Sequence, residues 1–444
     1  MNIVSLVGHL LELLELADQS AQPLDRLVGD FFRSRKYLGS HDRRFIAETL
    51  YGIMRHRRFL EALLEQYVLI HPDSAELDNA RQRYLPLYVI VSIHPDVNNP
   101  PIQHIPASYW KTYFPNIDLE KFIGWIKDHV SLDFLDVEDA VRLGIRYSFQ
   151  DWMVQDWLEY VGEETEQLLQ SLNQQAPLTI RVNTLRTTRE QLQQQLHSEG
   201  VESEVARYSP AGVIVKKRFN VQSSKAFKDG WFEVQDEGSQ IVALCANPKP
   251  GQAIIDACAG AGGKSLHMAD LMRNAGELIA MDIDKKRLRE LEERARRAGA
   301  LNIQTLEKET IVPENFFKKA DVVLVDAPCT GVGTIRRNPM FKWRVTESLV
   351  RHYSEKQREI LSFNAQFVKS GGRLVYATCS MFRQENDDVV HSFLGQHPEF
   401  HLIPPADLLQ SLGVSMDEDF VRLYPHRHGT DGFFIAVMER IVNG

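Results

Sequence analysis

Asp256-Ala257-Cys258-Ala259-Gly260-Ala261-Gly262-Gly263-Lys264-Ser265 follows the short apolar segment Ala253-Ile254-Ile255 and runs into Leu266-His267-Met268-Ala269. This is the order of a buried strand, a glycine-rich turn and the start of a helix, and it opens an α/β sheet of the nucleotide-binding kind. Gly260, Gly262 and Gly263 can take backbone angles closed to other residues and let a cofactor approach the main chain and the helix N-terminus. A tight strand-to-helix turn without a ligand is the competing reading of this stretch taken alone.

Outward from the turn, strand and helix alternate from Phe232 onward. Residues 277–281 read as a strand closed by Asp282-Ile283-Asp284, and a charged helix runs from Lys285 to Arg297 and ends at Gly299. Residues 303–306 and 321–325 are the next strands, the latter leading into Asp326-Ala327-Pro328-Cys329. A long helix is expected over about 347 to 369, broken at Gly371-Gly372, before the strand 373–377 that carries Thr378-Cys379-Ser380. Such alternation predicts a mostly parallel sheet covered on both faces. Ligands of open α/β sheets gather outside the carboxyl ends of the strands, so Cys258, Asp282, Asp326, Cys329 and Cys379 are expected to face one crevice.

Three chemistries compete for that crevice. Gly263-Lys264-Ser265 ends like a phosphate-binding loop, but the full pattern requires glycine where this chain has Cys258. From Gly260 the run Gly-x-Gly-x-x-Ser lacks the last small residue of the dinucleotide fingerprint. A cofactor carrying a methyl group is the third: Asp282, closing the second strand, suits the ribose hydroxyls of an adenosine moiety, and the turn suits its amino-acid tail.

The rest of the chain sets the frame. Its 444 residues suffice for two or three domains, and 43% hydrophobic with 25% charged residues is ordinary for a soluble protein. No apolar run reaches the roughly 18 residues that span a bilayer, and Met1-Asn2-Ile3-Val4 lacks the basic region of a signal peptide. The four cysteines are scattered without a Cys-x-x-Cys, which points to a reducing, cytoplasmic setting with neither disulfides nor zinc. His426 and His428 lack a third ligand and read as a polar turn. A formal charge of −9 opposes indiscriminate polyanion binding but leaves room for a local patch.

Residues 1–160 read as helical: Ile3, Leu6, Leu10, Leu13 and Leu14 keep a three-to-four spacing, as do Phe45, Leu50, Ile53 and Met54 behind a cap at Ser40 or Asp42. Between Arg33 and Arg58 eight basic residues face two acidic ones. Such a run is either a solvated helix face with internal salt bridges or an RNA-backbone footprint. Prolines between His94 and Pro106 predict a loop, and Trp152 and Trp157 read as core. Residues 165–235 predict a small α+β domain: an alternating strand from Leu178, a helix capped by Thr187 or Thr188, and a strand at Val213-Ile214-Val215 whose edge Lys216-Lys217-Arg218 guards. Residues 236–444 then form the α/β domain.

The first motif, the run from Asp326 through Asp-Ala-Pro-Cys-Thr-Gly-Val-Gly-Thr-Ile-Arg-Arg-Asn-Pro, and Tyr376-Ala-Thr-Cys-Ser followed by Gln384-Glu385-Asn386 resemble the Sun/Fmu family of S-adenosylmethionine-dependent RNA cytosine-5 methyltransferases. The resemblance extends to Ile180-Arg-Val-Asn-Thr184, Val234-Gln-Asp-Glu-Gly238 and His428-Gly-Thr-Asp-Gly-Phe-Phe434, and so covers about residues 175 to 440. It implies a Rossmann-like methyltransferase sheet, an RRM-like small domain and, through Asp42-Arg43-Arg44-Phe45, a helical NusB-like RNA-binding domain at the N-terminus.

The resemblance also implies roles. Carbon 5 of cytosine is a weak nucleophile until a thiolate adds to carbon 6. The Thr-Cys-Ser cysteine, Cys379, is the implied nucleophile, and Cys329 the implied aid to elimination. Asp326 is placed to contact the base or cofactor, and Lys264 is the motif lysine that points into the site. Cofactor contacts fall on Cys258, Ala259, Gly260, Ala261, Gly262, Gly263, Lys264, Asp282, Asp326 and an acidic residue near Glu309. The chain departs from the family pattern at Ala261, where proline is usual, and at Glu307-Lys308-Glu309, where an aspartate follows the third strand. Arg336, Arg337, Lys342 and Arg344, interleaved with Phe341 and Trp343, are the expected RNA contacts near the crevice, with Arg43 and Arg44 further ones; packing of Trp343 against the methyltransferase core is the alternative.

The expected activity is thus transfer of a methyl group from S-adenosylmethionine to carbon 5 of a cytosine in RNA, foremost small-subunit ribosomal RNA, by a cytoplasmic monomer that needs no metal. A noncatalytic RNA-binding ribosome-assembly factor that keeps the fold is the alternative. A DNA cytosine methyltransferase is disfavoured, because that class is expected to use the Pro-Cys cysteine as its nucleophile.

Overall fold

The computed structural model describes residues 2–20, 22–71, 80–93, 105–129, 137–308, 312–416 and 419–442. The prolines between His94 and residue 104, and Glu309, lie outside them. The chain folds into two compact units, one of residues 1–174 with 335–344 and one of residues 175–334 with 345–444.

The first unit is helical, with helices that include Ile3–Gln19, Leu24–Ser34, Ser40–Ile70, Asp139–Tyr147, Asp151–Tyr160 and Thr165–Leu172. Leu10, Leu13, Leu14, Leu50, Ile53 and Met54 are buried together, as their spacing predicts. The carboxylate of Asp42 accepts from Gly39 N at 3.1 Å and caps Ser40–Ile70. Much of the basic run is spent inside the unit: Arg57 Nη1 meets Asp18 at 2.6 Å and its Nε meets Glu61 at 2.9 Å, Arg58 meets Asp151 at 2.6 Å, and Arg35 meets Glu12. Trp157 is core.

The second unit holds two sheets. The smaller has β1 (Leu178–Val182), β2 (Ser203–Val205), β3 (Gly212–Val215) and β4 (Phe232–Val234) in the order β2-β3-β1-β4, all antiparallel. Thr188 and Gln191 form a reciprocal cap on the helix Arg189–Ser198. β1 is buried on both faces: Ile180 and Val182 enter the small core, while Arg181 pairs with Asp270 of the large fold at 3.2 Å. Arg294 and Arg297 likewise close on the buried Glu233.

The larger sheet contains β5 (Ala253–Asp256), β6 (Glu277–Asp282), β7 (Ile303–Glu307), β8 (Ala320–Asp326), β9 (Val368–Thr378), β10 (Phe400–Leu402), β11 (Val421–Leu423) and β12 (Phe433–Arg440). Its order is β10-β12-β9-β8-β5-β6-β7, with β11 paired to β12. The strands from β7 to β9 are parallel, and β12 is antiparallel to its neighbours. Alternate residues enter two cores: Ile254, Leu278, Leu324 and Val375 face one layer, and Ile255, Ile279, Val323 and Leu374 the other. This is the Rossmann-like α/β arrangement with helices on both faces. The helix expected to reach residue 369 ends earlier, as Glu347–Ala365, and Gly371-Gly372 lie within β9 instead of terminating a helix. Val368 already pairs with Ala320, and the register then shifts between Ala320 and Val322, with Gly371 at φ 70° taking up the irregularity.

Candidate active site

The strand order reverses at β5, whose neighbours are β6 on one side and β8 on the other, so the crevice opens at the carboxyl ends of these strands. β5 ends at Asp256, and the chain turns through Gly260 (φ 54°) and Gly262 (φ 86°) into the helix Gly263–Leu271. At Gly262 the positive φ is joined by close packing, since a Cβ there would lie 2.0 Å from Leu291. The turn is anchored twice: Ala259 N donates to Met281 O at 2.9 Å, and Arg294 donates to Ala261 O at 2.6 Å. Alanine at position 261 leaves this anchor in place, because the anchor uses the backbone carbonyl.

Asp282, at the end of β6, accepts from Gly260 N on one oxygen and Asp284 N on the other, both at 2.8 Å. A carboxylate so held keeps lone pairs for hydroxyl donors. Asp256 is buried, its Oδ2 accepts from Ser265 Oγ at 2.6 Å, and Oδ1 has no hydrogen-bond partner among the described residues. Burial pushes its pKa up to about 7. The glycine turn, the held Asp282 and this orphaned oxygen fit a nucleoside cofactor with an amino-acid tail. Glu307, opposite Asp282 in the sheet, is ion-paired with Lys285 at 2.7 Å.

Lys264 Nζ meets Asp326 Oδ2 at 2.6 Å. Burial works to lower the lysine's pKa, but the charges of Asp326, Cys379 and Asp256 outweigh it and leave the pKa raised, so the ammonium persists. Cys329 and Cys379 leave the adjacent strands β8 and β9, and their sulfurs are 3.4 Å apart. The hydrogen bond with Cys379, burial and the charges of Cys379 and Glu385 hold the Cys329 thiol well above its ordinary range. Cys258 is a different case: burial pushes it up to about 12, which makes it a neutral lining group. The second unit thus gathers Lys264, Asp326, Cys329 and Cys379, with Cys258 and Asp282 flanking them.

The expected RNA loop does not stand as a free cationic loop. Residues Ile335–Arg344 belong with the helical unit. Lys342 is fully buried there and donates to Arg55 O at 2.9 Å, Tyr147 O at 3.0 Å and Asn173 Oδ1. Trp343 donates to Met54 O at 3.0 Å, Arg344 reaches Gln22 O at 2.7 Å, and Arg336 is buried. The alternation of charge and aromatic is a docking pattern within that unit. Arg44 stays exposed in a pair with Glu48, and Arg43 donates to Leu38 O at 2.9 Å. Sequence reasoning assigned no role to Glu385, which braces both cysteine turns, although Gln384-Glu385-Asn386 stood out as a motif. His428 Nδ1 accepts from Tyr424 N at 3.0 Å, and among the described residues no group of three or more His, Cys, Asp or Glu is placed to hold a metal ion. No helix among the described residues is long and apolar enough to cross a membrane.

Comparison with known proteins agrees with this geometry. A family model described as 16S rRNA methyltransferase RsmB/F matches residues 243–439, and a second, the RsmF/B-like ferredoxin-like domain, matches residues 149–222. The probable ribosomal RNA small subunit methyltransferase B of Bacillus subtilis is 36% identical over 68% of this chain and 69% of its own. Its namesake from Synechocystis is 31% identical over 91% and 92%. Among solved structures, PH0851 superposes with a TM-score of 0.77 at 29% identity, covering 99% of both chains.

Proposed function

We propose that this chain, which belongs to the 16S rRNA methyltransferase RsmB/F (Sun/Fmu) family, methylates carbon 5 of a cytosine in small-subunit ribosomal RNA through a covalent bond between Cys379 and the base. S-adenosylmethionine is the cofactor and supplies an electrophilic methyl group on a sulfonium. The turn from Cys258 to Gly263, with Asp282 at the ribose, would hold it.

The observation that carries the cytosine reading is the pair of thiols 3.4 Å apart at the ends of neighbouring strands, beside the Lys264–Asp326 pair. Methylation of an amine or a hydroxyl needs no thiol, whereas carbon 5 needs one to add at carbon 6 and one group to assist its departure. Cys379 adds to carbon 6, beside the ammonium that Lys264 keeps. Asp326, a carboxylate paired with Lys264, accepts from the exocyclic amino group of the base and orients it. Cys329, kept protonated, gives its proton to the Cys379 sulfur as the Cys379–carbon 6 bond breaks and takes up the carbon 5 hydrogen as a proton in its place, which returns both thiols to their starting state. A base inside a duplex hides carbon 6, so the target is unpaired or flipped out.

The test is methyl transfer from labelled S-adenosylmethionine to small-subunit ribosomal RNA and to immature subunits. Cys379→Ala is expected to abolish transfer, and Cys329→Ala to accumulate a covalent protein–RNA adduct. Normal turnover by Cys379→Ala, or label at a position other than carbon 5, refutes the reading.

A further inference from the structure

Glu385 is wholly buried, and its carboxylate accepts four hydrogen bonds, all from uncharged groups. Oε1 accepts from Thr330 N at 2.9 Å and from the Gln357 amide at 3.0 Å. Oε2 accepts from the hydroxyls of Thr330 and Ser380, each at 2.5 Å. Thr330 follows Cys329 and Ser380 follows Cys379 in the chain, so one oxygen ties together the residues adjoining both thiols. The brace continues outward: Gln357 also donates to Pro328 O at 3.0 Å, and the Tyr376 hydroxyl donates to Glu385 O at 2.6 Å.

A carboxylate is an expensive group to bury without a cation, and burial holds the Glu385 pKa above the usual carboxylate range. The four hydrogen bonds oppose that cost and favour the charged form: Thr330 N and the Gln357 amide can only donate to Oε1, and the two hydroxyls supply donors to Oε2. Glutamine would turn an NH2 group toward those two hydroxyls, which must then reverse to accept. A second anion is disfavoured beside an existing one, so the charge lies where it discourages ionisation of Cys329.

We propose that Glu385 is the positioning residue of the thiol pair, fixing the separation of Cys329 and Cys379 and, through its charge, the order in which they act. The separation stands on geometry alone, whereas the order rests on the reading of Cys379 as the nucleophile. With Glu385 ionised, the proton stays on Cys329, and Cys379 is left to add to the base.

The test uses the full chain, first without RNA or methyl donor. Diamide takes up two electrons and two protons as two thiols become a disulfide, and the rate of the Cys329–Cys379 link, followed by mass spectrometry, measures their separation. Alkylation of each cysteine by iodoacetamide across pH reports which thiol ionises first. Glu385→Gln is expected to slow the link about tenfold or more, since misplacing a reacting group by 1 Å costs on the order of 100-fold. It should also move Cys329 alkylation to lower pH, and lower kcat for methyl transfer while the KM for RNA is kept. Thr330→Val and Ser380→Ala, each removing one arm, should slow the link less. Wild-type linking and alkylation in a folded Glu385→Gln protein overturns the proposal. If that variant does not fold, unchanged linking in both Thr330→Val and Ser380→Ala overturns it. Failure of the cytosine reading shows separately, as absent carbon 5 transfer by the wild type with the thiol results intact.

Discussion

Replacing Lys342 with methionine tests whether this residue serves RNA or the fold. Its Nζ has three oxygen acceptors, Arg55 O, Tyr147 O and Asn173 Oδ1, and lies 3.8 Å from the centre of the Phe149 ring. Three acceptors match the three hydrogens of an ammonium. Burial, and then the charge of Arg55, pull the lysine pKa well below its usual range, so holding the proton has a cost. Each lost hydrogen bond to a charged donor is worth about 1.5–3 kcal/mol, or roughly 4–9 kcal/mol for the set. Methionine fills the same channel and removes a desolvation penalty of several kcal/mol. The balance is a net loss of about 2–4 kcal/mol, because the three acceptors stay buried without donors. Urea unfolding of the helical unit, followed by far-ultraviolet circular dichroism, reads that loss. RNA binding across salt concentrations supplies the contrast, since one phosphate contact fewer lowers the log–log slope by about 0.7 on a single strand. A Lys342→Met protein with wild-type stability and a slope reduced by that amount would refute the structural assignment and restore the phosphate one.

Two further outcomes are expected. A Cβ at Gly333 would lie 2.2 Å from Gly432 O and 2.8 Å from Cys379 O, where Gly333 N donates to Cys379 O at 2.8 Å. Gly333→Ala should therefore cost about 1–3 kcal/mol in thermal unfolding and cut methyl transfer at least about tenfold; unchanged turnover contradicts the packing argument. Asp256 has a folded pKa raised from 3.8 to about 7, so the folded state binds more protons within that window and stability falls as pH rises through it. Asp256→Asn should flatten the urea midpoint between pH 4 and 7, and a wild-type midpoint that climbs with pH over that range contradicts the assignment.

What was legible in the chain follows from locality. The turn at Gly260–Gly263, the cap at Thr188 and the alternating strands of the large sheet are set by neighbours within a few residues, and the sequence carries them openly. Gly371-Gly372 misled because a glycine pair after a helical run reads as a stop, whereas here it sits in a strand irregularity created by pairing with β8. The Arg336–Arg344 loop misled for a related reason: cations interleaved with aromatics describe both an RNA surface and a buried anchor. Acceptors far away in the chain distinguish the two: those of Arg55, Tyr147 and Asn173 for Lys342, of Met54 for Trp343 and of Gln22 for Arg344.

The thiol pair shows how far such locality reaches. Asp326 of β8 stands opposite Ala377 of β9 in parallel register, so Cys329, three residues on, and Cys379, two residues on, leave the sheet at nearly the same level. A slip of one residue in that register would shift one turn along the strand axis by about 3.3 Å relative to the other. The register is fixed well below the site, by Val322 against Arg373 through Val325 against Tyr376, residues that the two apolar layers hold in place. Beyond the last paired residues the strands no longer hold the thiols, and there the carboxylate of Glu385 and the contact of Gly333 with Cys379 take over. Sheet register brings the two cysteines to one level, and the turns bring the sulfurs into contact; covalent chemistry at carbon 6 requires both.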